Sequence, residues 1–468
     1  MEAVVLTIGI MTGNSLDAVD LVLTEFTTQG SIKDLTAYTL PYPQKLSADL
    51  RTVRAKIEDG LKLKDFSQTQ EFQQIHDAYL KTVAQGVENL LQVAEQQGIT
   101  RQKIDAIGFH GQTCGHNPPS IAKSKDKVWT IQIGSGQMLA DLTGLTVIYD
   151  FRSDDILNGG EGAPLAPVHN LHIAIDAKAR GFYPLAFCNA GNTGNITIVS
   201  EQDNGKEVLL GWDVGPFNHF IDMLVRYEKG EAFDEDGKYG RAGKVNEDLL
   251  REMFNLSAVR SDGSNFLLQM PPKSSDPQWY CMPNLLKDSV IKFEDRLRTV
   301  EYFSVYIFVY TLRFVPAHVL FPNNFLIFGG GWKNPIVLQD FKDLLCGRGI
   351  ILNEHKEIFN ALWKRFIEEP KLMFSDEKSY SAKYMEARIM ADMAYCRLIG
   401  EPFSLPETTG CKTPTVGGII RYPQGKVENA TENFRKLLEY YQSADLTLNN
   451  LESQYYSRAC PGYLILPK

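Results

Sequence analysis

The sequence predicts an α/β protein of two domains. Short β-branched apolar runs alternate with amphipathic helical stretches. Several of those runs stop at glycine. The 468 residues exceed what one core organises, since single cores stop growing at about 250–300 residues.

The first elements are a hairpin and a helix. VVLTIGIM, the polar turn GNSLDAVD and LVLTEFTT read as the hairpin. From about Ser67 to Gln97, Phe72, Ile75, Tyr79 and Val83 recur at helical spacing. IDAIGFHG, VWTIQIG, LTVIYDF, PLAFCNAG, GNITIVS and FLIFGGG read as further strands. Glycines at or near strand exits (Gly9, Gly108, Gly134, Gly191 and Gly329) let a backbone approach a ligand closely. Ligands of open α/β sheets bind at strand carboxyl ends, so the pattern predicts one large cleft between two related sheets. Ser261 to Asp288 reads as a loop, and from Gly425 the chain continues as a polar extension.

Composition narrows the function. Hydrophobic residues at 44% and charged residues at 22% fit a globular core. A net charge of −9 lacks the basic footprint of a nucleic-acid binder. Seven scattered cysteines without a CxxC pair argue against disulfides and zinc, and for a reducing cytoplasmic setting. The start MEAVVLTIGIM lacks the features of a signal peptide. Arg313, Pro316 and His318 interrupt YFSVYIFVYTLRFVPAHVLF, which reads as a buried helix and loop, so no membrane partner is expected. His169 and His172, three apart, read as helix-face residues.

No Walker A and no GxGxxG after a strand is present, so any nucleotide is held otherwise. The turn Thr12 to Asp17 offers small polar residues to a phosphate, and Asp17 can hold Mg²⁺; it is also a good hairpin turn. GFHGQT carries His110 and Gln112, suited to hydroxyl recognition or to a structural turn. DFRSDDILNGGEGAPL gathers Asp150, Arg152 and neighbouring acids beside three glycines that call for a geometric reason. NAGNTGN is a hairpin turn around Asn192 that can hold phosphate. In GWDVGPFN, Asp213 ends a strand beside a helix expected to start at Gly215-Pro216, placing it as a base or as a helix cap. FGGGWKN, with Gly329, Gly330 and Asn334, can pass a flat ring.

From about Ile8 to Pro423 the order of these motifs resembles the anhydro-N-acetylmuramic acid kinase family. GIMTGNSLDAVD resembles GxMSGTSxDGxD, GFHGQT resembles SHGQT, and DFRSDDILNGGEGAPLAP resembles DFRxxDxxxGGQGAPLVP. GWDVGPFN resembles xFDTGPGN, and MEARIMADMAY a later block. The resemblance implies a two-domain actin-like ATPase (ribonuclease H-like) fold with a cleft between domains. It divides the chain into 1–150 with 387–423, 151–386, and an extension 424–468. It implies ATP and Mg²⁺, with phosphates on Gly13, Asn14, Ser15, Leu16, Asp17 and Asn192, helped by Gly215. Gly329, Gly330 and Asn334 face adenosine, and Asp17 holds the metal. His110, Gln112, Asp150, Arg152 and Glu386 line the sugar site. Asp213 activates a water that opens the 1,6-anhydro ring while O6 is phosphorylated. Family members often form homodimers.

Departures from the pattern matter. Asn192 and Phe217 replace glycines, and PPKSSDPQ replaces PPKSTGRE, which leaves open a non-catalytic binding protein. Phe217 is expected to add bulk beside Asp213. Ser153-Asp154 stand where bacterial members often carry a further Arg, which favours a neutral sugar such as levoglucosan. A plain hydroxyl kinase without ring opening is a further alternative.

Overall fold

Two sheets organise the chain, and each begins with a hairpin because a polar turn interrupts an otherwise apolar run. The computed structural model describes residues 4–13, 16–27, 30–58, 67–119, 128–260, 263–271, 273, 275, 280 and 290–424. The chain divides into two compact units, 1–176 with 379–468, and 177–378.

In the first unit, β1 (Val4–Thr12), β2 (Ala18–Thr27) and β3 (Ile32–Pro41) form an antiparallel meander. On the other side of β1, β4 (Ala106–Phe109) joins in parallel. β5 (Gln112–Asn117) and β6 (Trp129–Ile133) pair as a separate hairpin. β7 (Val147–Tyr149) runs parallel beyond β4, and the strand Ile419–Arg421 closes that edge antiparallel. Ile10 of β1 pairs with Phe109 of β4, so the two strands exit side by side.

Helix α1 (Gln70–Gln96) starts where Thr69 accepts a hydrogen bond from the Phe72 amide. Its Phe72, Ile75, Tyr79 and Val83 are buried in one core with Ile8, Ile10 and Leu21, as their spacing predicts. The other face of the sheet is covered by the helix Met385–Ile399. A Cβ at Gly9 would lie 1.8 Å from the Ala387 carbonyl oxygen, and one at Gly108 2.0 Å from that of Met390. These two glycines therefore admit a helix backbone rather than a ligand, which corrects the sequence expectation for both.

Residues 151–176 belong to the first unit, and so does the whole helix Met385–Ile399. The division thus lies at 176/177 and 378/379, beyond the first expected boundary and before the second. Hydrogen bonds explain it. Arg152 bonds His110, and His169 and His172 of helix α2 (Ala166–Ala179) bond Asp392.

The second unit repeats the strand order. β8 (Leu185–Ala190), β9 (Thr193–Glu201) and β10 (Glu207–Pro216) form the meander, and β11 (Asn324–Phe328) and β12 (Lys371–Phe374) add in parallel beyond β8. Three antiparallel strands followed by two parallel ones, once in each unit, is the repeated ribonuclease H-like topology that the family resemblance implies.

The second unit also carries helices α3 (Asn218–Lys229), α4 (Phe293–Tyr310) and α5 (Pro335–Leu345). Helix α4 is buried along nearly its whole length in the core of this unit, as expected. Among the described residues, no helix is long and apolar enough to cross a membrane.

Candidate active site

The expected residues fall into two groups, one in each unit. In the first unit the exits of β1 and β4 carry the turns. Asn14 and Ser15 lie outside the described residues. Leu16 adopts a left-handed φ of 57° and buries its side chain, which leaves Asp17 exposed on the turn. Side chains join this turn to the next one. Thr12 Oγ1 donates to the Gly111 carbonyl at 3.0 Å, and Gln112 Nε2 to that of Gly13 at 3.4 Å. Gln112 Oε1 is buried with no hydrogen-bond partner among the described residues, an acceptor left over beside the turn.

The His110 ring is buried and engaged at both nitrogens. Nδ1 lies 2.8 Å from the Gly111 carbonyl, so it carries the proton. Nε2 then accepts from Arg152 Nε at 3.2 Å and Nη2 at 3.0 Å. Burial, then the Arg152 charge, pushes the His110 pKa down to about 3, so the ring is neutral. Arg152 Nη1 donates to the Gly162 carbonyl at 2.6 Å.

The glycines of GGEGAPL find their reason in Asp155. A Cβ at Gly160 would lie 2.4 Å from its carboxylate, and Gly162, at φ 68°, donates its amide to Asp155 Oδ2 at 2.6 Å.

His110 and Asp150 line one cavity of about 150 Å³, together with Thr130, Gln132, Tyr149 and Ser153. The last four escaped sequence reasoning. Gln132 sits in the strand VWTIQIG, and Tyr149 and Ser153 flank Asp150-Phe151-Arg152, so proximity to the motifs was the available signal. Asp150, at φ 58°, accepts from the Ser153 hydroxyl. Asp154 turns to the Gly418 amide instead. Glu386 is reached by solvent, yet surrounding protein pushes its carboxyl up, Asp20 adds to the rise, and Arg152 opposes it.

The second group is joined by backbone. The Asn192 carbonyl accepts the amides of Phe217 (2.9 Å) and His219 (3.3 Å), and the Gly191 carbonyl that of Asn218 (3.0 Å). The β8–β9 turn therefore rests on the start of α3. Gly329, at φ 99°, would place a Cβ 2.7 Å from the Ala190 carbonyl oxygen. Gly331 would place one 2.5 Å from the Phe217 ring. Asn192, Gly329 and Gly330 thus meet at one corner. Asn334 caps α5, accepting from the Ile336 amide at 3.0 Å, and donates to Glu301 at 2.8 Å.

Asp213 lies one residue before a register shift in β10, which continues to Pro216 past the expected helix start; α3 begins at Asn218. The Asp213 amide donates to the Lys273 carbonyl at 3.0 Å, and its Oδ2 accepts the Ser275 amide at 2.8 Å. Ser275 in turn bonds Tyr280 through their hydroxyls.

Phe217 does not crowd this carboxylate. It is fully buried, edge-on to Phe308 and Trp332, because the chain entering α3 turns its side chain into the core. Lys273 is buried between the Phe266 and Phe314 rings. Burial, then Arg313, pushes its pKa down to about 7.

His169 and His172 are helix residues engaged in a network. Asp392 accepts from His169 at 2.6 Å and from His172 at 2.9 Å. His169 Nε2 accepts from Arg388 at 3.2 Å. Ligand atoms of His172, Asp392 and Cys396 lie within 4.8 Å of one another, but all three take part in this network, which accounts for the cluster.

The sequence is similar to known proteins over most of its length. The anhydro-N-acetylmuramic acid kinase family model matches residues 5–358. An anhydro-N-acetylmuramic acid kinase of Zymomonas mobilis is 30% identical over 417 residues, covering 89% of this chain and 100% of the relative. One of Methylorubrum populi is 29% identical, covering 89% and 98%. Among solved structures, the xylulose kinase of Lactobacillus acidophilus aligns over 96% of this chain and 99% of its own, at 12% identity and a TM-score of 0.36. With a family model matched over residues 5–358 and a relative 30% identical that the chain covers in full, the chain belongs to the anhydro-N-acetylmuramic acid kinase family.

Proposed function

We propose that this chain is an ATP-dependent kinase of a 1,6-anhydro sugar, and that the sugar is a neutral one of the levoglucosan type. The observation that carries the reading is Asp213. It is a half-buried carboxylate steadied by the Ser275 amide, in the stretch GWDVGPFN that resembles the family's xFDTGPGN. Phosphoryl transfer asks a protein mainly for positioning, charge stabilisation and a base.

Asp213 takes a proton from a water whose oxygen bonds to C1 of the sugar. The C1–O6 bond breaks, and O6 takes the γ-phosphoryl group of ATP. ADP and a 6-phosphate with a free anomeric hydroxyl leave, and the proton passes from Asp213 to solvent. Gly13 to Asp17 and Asn192 hold phosphates, and Gly329 and Gly330 pass the adenosine. Asp17 suits Mg²⁺, being an exposed carboxylate whose charge also acts on Asp20. Mg²⁺, when bound, neutralises phosphate charge.

The cavity supports a neutral sugar. Its lining offers hydroxyls, an amide and the Asp150 carboxylate, and among the described residues no Lys or Arg side chain. Arg152 directs three of its five N–H donors to His110 and Gly162, which holds it behind the cavity lining. The volume lies below the ~300 Å³ lower end for drug-sized ligands, which fits one compact ring.

The test is turnover of levoglucosan against anhydro-N-acetylmuramic acid, with product NMR. A faster acid substrate overturns the neutral reading. Absence of turnover with every anhydro sugar overturns the kinase reading. A phosphorylated product with its anhydro ring intact identifies a plain hydroxyl kinase.

A further inference from the structure

Helix α4 carries a carboxyl group deep in the second unit. Glu301 is fully buried, yet only one of its oxygens has a partner on the Asn334 side, accepting from Nδ2 at 2.8 Å. The other oxygen, Oε2, is buried and accepts no hydrogen bond from the described residues. A Cβ on Gly240 would lie 2.0 Å from it, which leaves no space there even for a methyl group.

The neighbour is Asp234, itself buried and within side-chain hydrogen-bonding reach of Glu301. Asp234 accepts two backbone amides, from Tyr239 and Gly240, each at 3.0 Å. That is the coordination of an ionised carboxylate. Two carboxyl groups in contact require one shared proton, and the amides on Asp234 assign that proton to Glu301.

We propose that Glu301 is a positioning residue for nucleotide, kept protonated so that Oε2–H donates to Asp234 while Oε1 fixes Asn334. Asn334 ends the Gly329–Gly331 turn and caps α5, so the proton on Glu301 ties the loop 234–240 to that turn. The proposal rests on the reading that this turn passes the adenosine.

Burial, then the Asp234 charge, pushes the Glu301 carboxyl up to about 8, against the Asn334 bond and Arg298. Arg298, one turn away on α4, is itself held by both oxygens of Asp340 on α5, at 2.6 and 2.7 Å. The folded pKa exceeds the unfolded one. The contact is therefore complete at low pH and is lost as pH rises through about 8.

The experiment measures ATP affinity of the full chain across that range for wild type, E301Q and E301A. Wild-type affinity is expected to fall roughly tenfold through the transition, as one pKa unit of coupling implies. E301Q donates to Asp234 without titrating and still accepts from Asn334, so its affinity stays flat. E301A binds weakly throughout.

An E301Q variant that loses affinity with pH as wild type does, or that binds as poorly as E301A while folded, overturns the proposal. Infrared spectroscopy gives a readout without nucleotide. Wild type shows a protonated-carboxyl band at neutral pH that E301Q lacks, and its absence from wild type overturns the shared proton. If no variant binds ATP while the band is present, the nucleotide reading fails and the shared proton stands.

Discussion

The first hairpin of each unit occupies the same place in the same strand order, yet side chains and backbone hold the two in different proportions. The Gly13–Asp17 turn is joined to its neighbour by side chains, through Thr12 to Gly111 and Gln112 to Gly13, beside one backbone bond from the Tyr42 amide to the Asp17 carbonyl at 2.8 Å. The Asn192 turn is tied mainly by backbone, through amides at the start of α3 and through glycines at 329 and 331 that leave no space for a Cβ, with one side-chain bond from Asn218 Nδ2 to the Ala190 carbonyl at 3.1 Å. The difference separates a turn that side-chain loss disturbs most from one that an added atom disturbs most. The first turn should answer to truncation and the second to enlargement.

The largest expected effect comes from Asp213, the acid that the second unit places at the end of its meander. D213N should lower the rate of sugar-dependent ADP release by ~10²–10⁴-fold, the usual contribution of a general base. ATP binding followed by thermal shift should persist. Full activity in D213N would remove the base from Asp213 and erase the functional contrast between the two meanders.

Next comes the backbone-tied turn. G329A adds a Cβ 2.7 Å from a carbonyl oxygen at φ 99°. A strained backbone position alone costs about 1–3 kcal/mol. Denaturant unfolding should report a loss of at least that size, with weakened nucleotide binding. A neutral result would show that this turn yields as readily as the first.

On the side-chain-tied side, H110A leaves two Arg152 donors without their acceptor. The expected cost is about 1–3 kcal/mol, with a raised KM for sugar and little change in KM for ATP. An equal rise in both would break the assignment of this corner to the sugar.

The smallest effect concerns pH. The folded Lys273 pKa is depressed to about 7, against an ordinary value of 10.5. The folded state disfavours the charge, so wild-type stability should rise with pH between those values. K273M removes that dependence. Its thermal midpoint should gain on wild type as pH falls towards about 7, and the gap should then level off. A constant gap would mean that Lys273 is charged in the fold.

Local pattern made much of the fold legible. The hairpin at β1–β2 and the helix around Phe72 to Val83 declare themselves through alternation and helical spacing. The helix Met385–Ile399 does not declare its partner, because its contacts with β1 and β4 join distant parts of the chain. Gly9 and Gly108 therefore look like ligand glycines until the helix is seen against them.

In the candidate site, motif order grouped His110 with Arg152 at the sugar, set Asn192 with Gly13–Asp17 on the phosphates, and gave Gly329 to the adenosine. It could not say that His110 has both nitrogens occupied, or that Phe217 turns inward, since those depend on side-chain direction. Thr130 and Gln132 stayed hidden because a short hairpin strand carries little pattern. Glu301, the lone acid in TVEYFSVYIFVY, was a visible signal whose partner Asp234 lies far away in sequence.

The flush contact of Gly9 and Gly108 with the helix Met385–Ile399 bears on how the chain is made. Synthesis proceeds from the amino terminus, and domains usually fold in that order. Here the first sheet is made early, but the helix that covers one of its faces emerges only after residues 177–378 are complete. The unit that begins second can therefore finish folding first, while the amino-terminal sheet waits on the ribosome with an uncovered face.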